Sequence, residues 1–272
     1  MRVLLSNDDG INAPGLRTLR KSLALLGEVL VVAPDRERSG TGHGITTYKP
    51  LRTKKITFSD GTYGWSVNGT PADCVKLAIE ALMPRKPDIV VSGINLGANL
   101  GTDVLYSGTV SAAIEGIING IPSMAISLTS SESSDFSQAA AFALHIVPLL
   151  IDADRDIKNI LVNVNVPPGK PRGMKITRLG MRRYVNVFDK RTDPRGNVYY
   201  WMAGKPEDTI PEPPAGHAAA KANTNANLAT NVDIDVHAIN NNYISITPLH
   251  FDLTDFAAIK HISKIIEPQL SL

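Results

Sequence analysis

Two adjacent carboxylates, Asp8 and Asp9, stand in the run Ser6-Asn7-Asp8-Asp9-Gly10. Neighbouring negative charges repel, so the pair is costly unless a cation sits between or beside it. Hard oxygen ligands suit Mg²⁺, Mn²⁺ or Ca²⁺, and no His or Cys accompanies them to indicate zinc. The competing reading is a turn in which one aspartate caps the following helix and the other is solvated. A second run, Pro34 to Gly44, contains Ser39-Gly40-Thr41-Gly42-His43-Gly44. Its glycines let backbone amides approach an anion, and Ser39 offers a hydroxyl ligand. A flexible surface loop is the plainer reading of that string alone, and His43 is either a hydrogen-bonded loop residue or an acid–base group.

A third run, Ser92-Gly93-Ile94-Asn95-Leu96-Gly97-Ala98-Asn99 onward to Asp103, leads to Tyr106-Ser107-Gly108-Thr109-Val110. Ser-Gly-Thr opening a helix combines free N–H groups, two hydroxyls and the positive end of the helix dipole, which suits a phosphate. An ordinary Ser or Thr cap is the alternative. The Walker Gly-Lys-Ser/Thr pattern is absent, against a P-loop triphosphatase. No Gly-x-Ser-x-Gly elbow occurs, against an α/β-hydrolase. An acidic pair, hydroxyl and amide side chains and an anion-binding helix start, taken together, point to a metal-dependent phosphoester site.

These runs follow strand-like segments. Val3-Leu4-Leu5, Val29 to Ala33, Ile89-Val90-Val91, Met124-Ala125-Ile126 and Ile160 to Val164 read as buried strands. Helical spacing covers Gly15–Leu26, Pro71–Met83, Thr109–Asn119 and Phe136–Ile151. Strands apolar on both faces and separated by helices indicate an α/β fold: a Rossmann-like, mostly parallel sheet with helices on both faces. Ligands in such sheets bind beyond the carboxyl ends of the strands, where the strand order reverses. A β-hairpin is expected within Thr46–Val67. The catalytic core is assigned to residues 1–170. Residues 171–272 read as a β-rich C-terminal extension with a terminal helix: short strands at Lys175–Arg178, Tyr184–Phe188 and Val198–Met202, a long exposed loop at Pro211–Asn231, a strand at Tyr243–Thr247, and a helix over Asp255–Ile266 capped by Thr254. That extension has too little apolar sequence to fold usefully alone, so an oligomerisation role is expected.

The 272 residues are enough for a real core, and 43% are apolar. Lys and Arg exceed Asp and Glu by 28 − 26 = 2, far from the charge of an obligate nucleic-acid or membrane-surface binder. The single cysteine, Cys74, excludes an intrachain disulfide and a Cys-based zinc frame, which fits a reducing compartment. The three apolar residues near the N-terminus are too few for a signal-peptide core, and no window approaches a membrane span. The expectation is a cytoplasmic protein without nucleic-acid or membrane partners.

Ser6 to Gly10, Ala33-Pro34-Asp35 through Arg38-Ser39-Gly40, Asn68 to Val75, Ser92-Gly93-Ile94-Asn95 through Gly101-Thr102-Asp103, and Tyr106 to Ala113, in this order, resemble the stationary-phase survival protein SurE family of 5′/3′-nucleotidases. Tyr243–Leu249 and Asp252-Leu253-Thr254 resemble a late family segment, while Met181–Val236 aligns only loosely. The resemblance implies a divalent metal, Mg²⁺ or Mn²⁺, ligated at Asp8, Asp9, Ser39 and Asn95. It implies phosphate contacts at Ser107, Gly108 and Thr109 with Asn99 nearby, and Asp8 and Asp9 as catalytic residues. It further implies nucleoside monophosphate substrates and assembly as a homodimer or homotetramer. His43-Gly44 departs from the family pattern, as does Asn240-Asn241-Asn242 before Tyr243, where a glycine is expected. Two other functions stay open: a broad-range phosphatase or exopolyphosphatase, and a nucleotide-binding sensor without turnover.

Overall fold

A computed structural model describes residues 1–130, 134–157, 159–185, 187–209 and 232–267, without the side chains of 155–157 and 209. The loop expected at 211–231 lies outside the described residues. Val3, Leu4 and Leu5 are fully buried in β1 (Arg2–Ser6), which can only happen in a central strand covered on both sides. β1 pairs in parallel with β2 (Glu28–Pro34) on one side and β5 (Ile89–Leu96) on the other. The hairpin of β3 (Thr53–Thr57) and β4 (Tyr63–Val67) joins the sheet through a parallel β2–β4 pair. Beyond β5 follow β6 (Ser123–Leu128) and β7 (Leu161–Val166), also parallel. Because the chain fills one side of β1 first and then returns to the other, the strand order reverses between β1 and β5.

Two strands from beyond residue 170 complete the sheet. β13 (Ile244–Pro248) lies antiparallel to β7, and β8 (Met174–Ile176) parallel to β13. The nine-stranded order is β3-β4-β2-β1-β5-β6-β7-β13-β8. Two separate ribbons pair β9 (Met181–Val185) with β12 (Lys205–Thr209), and β10 (Phe188–Thr192) with β11 (Val198–Met202). The strand expected over Tyr184–Phe188 therefore divides between β9 and β10.

Helices α1 (Pro14–Leu23) and α4 (Ser137–Ile157) pack on one face, over Val3, Leu5, Val91, Ile126 and Val164. Helices α2 (Pro71–Leu77) and α3 (Gly108–Ile118) cover the other, over Leu4, Val32, Val90 and Ala125. Helix α1 buries Leu16, Leu19 and Leu23 and closes three residues before the expected Leu26, its end tightened by Leu25 and Leu26 N–H bonds three residues back. The segment expected as one helix to Met83 changes pitch after Leu77 into a π-turn over Ala78–Leu82.

A short helix α5 (Asp235–Asn240) precedes β13. Asn242 adopts φ 61° in the turn between them, a left-handed conformation that asparagine tolerates better than other non-glycine residues. The terminal helix α6 (Phe256–Ile266) is capped by Asp255, which accepts the Ala257 and Ala258 N–H bonds, instead of by Thr254. None of its residues is buried. No helix among the described residues is long and apolar enough to cross a membrane.

Candidate metal and phosphate site

The carboxyl end of β1 runs into a turn closed by Asn7, whose amide donates to the Gly10 carbonyl (3.1 Å) and accepts the Gly10 N–H (3.2 Å). This turn holds Asp8 and Asp9 at the point of strand reversal. Asp8 is buried, and its carboxylate accepts the Thr109 hydroxyl at 2.5 Å. A Cβ on Gly108 would lie 2.7 Å from the Asp8 Cβ, so the first residue of α3 must be glycine for the helix to come this close. Burial pushes the Asp8 carboxyl above its ordinary range, while the Thr109 hydroxyl and backbone N–H oppose the rise. Asp9 is less enclosed and is pushed up to about 6, first by burial and then by the charge of Asp8. The Leu96 N–H at the end of β5 reaches Asp9 and holds it down.

Two other segments arrive at this pair. The Asp8 carbonyl accepts the Arg38 N–H at 2.7 Å, which ties the segment after β2 to the β1 turn. Ser39, exposed, donates its hydroxyl to Glu37 at 2.8 Å, leaving its oxygen lone pairs available. Asn95 donates its amide N–H to the Gly97 carbonyl at 2.9 Å, so the atom it can offer is oxygen. Asn95 lies within β5, where the register with β6 shifts between Gly93 and Asn95, and not beyond the strand as its sequence position implied. Among the described residues no three His, Cys, Asp or Glu side chains converge as a metal centre. The set here is two carboxylates, a hydroxyl and an amide oxygen, a hard neutral-plus-anionic donor group that fits Mg²⁺ or Mn²⁺.

The start of α3 is fixed from within. Ser107 caps it by accepting the Val110 N–H at 3.1 Å. Thr109 and Val110 thus spend their N–H groups on Asp8 and Ser107, so fewer amides remain for an anion than an isolated helix end would offer. The Ser107 hydroxyl proton stays free to donate. Asn99 is buried and donates its amide to Ser127 at 2.7 Å, while its backbone is held by Asn163 and Asn165. His43 meets Glu115 of α3 at 2.9 Å, and Lys76 of α2 reaches the same carboxylate at 3.0 Å. His43 therefore anchors its loop to α3.

Several residues here escaped the sequence. Glu37 adds negative charge beside both aspartates. Asp103, in a 3-10 turn over Gly101–Leu105, contacts Arg182 and Tyr184 of β9. Asp235 reaches the same turn from α5. Glu37 and Asp103 stand inside runs quoted above, but nothing local gives any of the three a role, because each acts on a partner distant in the chain or on another acid.

Residues 3–186 match the family described as Survival protein SurE. A protein of Pelotomaculum thermopropionicum named 5′-nucleotidase SurE is 54% identical over 98% of this chain and 96% of its own length. Another so named, from Trichormus variabilis, is 53% identical over 97% of each. The crystal structure of the SurE protein from Aquifex aeolicus superposes with a TM-score of 0.76 at 40% identity, covering 97% of this chain and 99% of that one.

Proposed function

The chain belongs to the Survival protein SurE family, and from that premise we propose that it is a metal-dependent phosphomonoesterase acting on nucleoside 5′- and 3′-monophosphates. The proposed cation is Mg²⁺ or Mn²⁺, held by Asp8, Asp9, Ser39 and Asn95. The observation that carries this reading is the contact between Asp8 and the start of α3, because it joins an acidic pair to a helix N-terminus in one rigid unit. The names of the relatives support the substrate class.

When bound, the cation supplies Lewis acidity toward water and neutralises phosphoryl charge. The remaining work falls to the chain. Ser107 donates its hydroxyl to a phosphoryl oxygen, and Gly108 lets Asp8 lie against the helix start where the group binds. Thr109 acts through Asp8, since its hydroxyl is already given to that carboxylate. One aspartate takes the proton released by the attacking water. Exposed apolar side chains on β11 and α6, among them Tyr200, Trp201, Phe256 and Ile265, support assembly as a homodimer or homotetramer.

The test is phosphate release from a panel of 5′- and 3′-nucleoside monophosphates, sugar phosphates and polyphosphate, with EDTA and then Mg²⁺ or Mn²⁺ added back. Release confined to nucleotides, lost with chelator and restored by metal, is the expected result. Equal release across the panel means a broad phosphatase, and nucleotide binding without release means a sensor.

A further inference from the structure

Residues 99–107 connect β5 to α3 and deliver Ser107 to its position. They are pinned from the sheet side by Asn163 and Asn165, which both donate to the Asn99 carbonyl. From the opposite side they are pinned by the C-terminal segment. Asp235 is fully buried, and its Oδ2 accepts the Gly101 N–H at 2.7 Å, 134 residues away in sequence. Its Oδ1 accepts the Gly180 and Val236 N–H bonds, each at 2.8 Å. Gly101 has φ 53°, and a Cβ there would lie 3.0 Å from the Gly180 carbonyl oxygen, so this hinge is both left-handed and enclosed.

Immediately after the hinge, Thr102 donates to the Arg182 carbonyl, and Asp103 receives Arg182 (3.0 Å) and the Tyr184 hydroxyl (3.0 Å). The Asp103 carbonyl then accepts the Tyr106 and Ser107 N–H bonds at 3.0 and 3.1 Å. Asp235 thus holds the segment at Gly101, and two residues along the chain the Asp103 carbonyl holds the Ser107 N–H. A carboxylate left without water is expensive unless its bonds are made, and here they are made to three backbone N–H groups, one of them that of Gly101 in the connecting segment.

The geometry points to Asp235 as a positioning residue for the phosphate-binding start of α3, with Asp103, itself held by Arg182 and Tyr184, fixing the same segment two residues on. The extension beyond residue 170 therefore helps to build the site. This inference rests on the proposed function for its kinetic consequence, but not for its structural one.

Asp235→Asn keeps the side chain's shape and turns one acceptor into a donor facing backbone N–H groups. Asp103→Asn, at a less enclosed position, keeps the fold if the first variant loses it. With nucleoside monophosphate as substrate, well below the melting temperature, each variant should raise KM, by about tenfold for Asp235→Asn and less for Asp103→Asn. Mn²⁺ affinity, read by calorimetry, should stay within about twofold, because no proposed metal ligand is touched. Hydrogen exchange should quicken in residues 99–110 and stay unchanged in residues 1–34. Unchanged KM and unchanged exchange in the folded variants would overturn the inference, as would a loss of activity explained wholly by the unfolded fraction. If the wild type releases no phosphate, the proposed function fails, and exchange at 99–110 alone decides whether Asp235 holds the segment.

Discussion

The two faces of the central sheet are built from alternate residues of the same strands, yet they differ completely in chemistry. Toward α1 and α4 the strands present Val3 and Leu5, Ile89 and Val91, Met124 and Ile126, Val162 and Val164, Ile244 and Ile246. Toward α2 and α3 the same strands begin apolar and become polar near the carboxyl edge: Leu4 then Ser6, Val90 then Ser92, Ala125 then Ser127, Leu161 then Asn163 and Asn165. On β13 this face carries Ser245 and Thr247, both bonded to Thr177. One face maximises buried apolar area, and the other spends part of that area on polar groups, of which Ser127, Asn163 and Asn165 hold Asn99 in the loop before α3. Stability and function are thus separated by the period-two alternation of a strand.

The separation can be broken from either side. Asp9→Asn should lower phosphate release by about a thousandfold, about 4 kcal/mol in the barrier, without lowering the melting temperature. Rates near wild type at saturating metal would remove Asp9 from the ligand set. On the dry face, Leu19→Ala should cost about 3 kcal/mol in urea unfolding and leave kcat/KM of the folded enzyme unchanged. A matching loss of kcat/KM would show that the two faces are coupled.

Thr109→Val sharpens the comparison further, because it removes only the hydroxyl given to Asp8. A ten- to hundredfold loss of metal affinity is expected, about 1.4 to 2.7 kcal/mol, measured by Mn²⁺ titration. A change confined to KM for phosphate esters would instead assign the hydroxyl to substrate.

The smallest effect concerns pH. Both aspartates have raised values in the folded chain, so the chelated protein binds more protons folded than unfolded between about pH 4 and 6. Its stability should therefore rise as pH falls from 7 toward 5. The added melting temperature from Mg²⁺ should shrink over the same range as protons compete for the ligands. Asp9→Asn should flatten both trends, and a chelated wild type that loses stability over this range would contradict them.

Much of the architecture was legible because short apolar runs and leucine spacing report burial directly. The strands at Val3–Leu5 and Met124–Ile126 and the helices on either side follow from that pattern. What the pattern hid was where the strands stop. Ser6 and Ser92 read as positions past a strand end, whereas both lie inside strands on the polar face and pair in register. The candidate ligands Asp8 and Asp9 stood out because two adjacent acids are unusual at a strand end. Asp103 and Asp235 did not, since an isolated aspartate in a loop is ordinary until its partner, distant in sequence, is known. Thr109 was visible as a residue of the helix start, but its bond to Asp8 depends on a close approach that only Gly108 permits.

The placement of β13 bears on how the chain is made. β7 is buried along its whole length, and among the described residues its outer edge is covered by β13, which begins after 77 intervening residues. At roughly 5 to 20 residues per second, a ribosome leaves that edge open for about 4 to 15 seconds. An open strand edge is a template for pairing with another chain, and here the exposed strand reads Leu-Val-Asn-Val-Asn-Val. A message cut short between the two strands would yield a product that seeks its missing neighbour in other molecules. The last strand, once made, is the protein's own protection against aggregation.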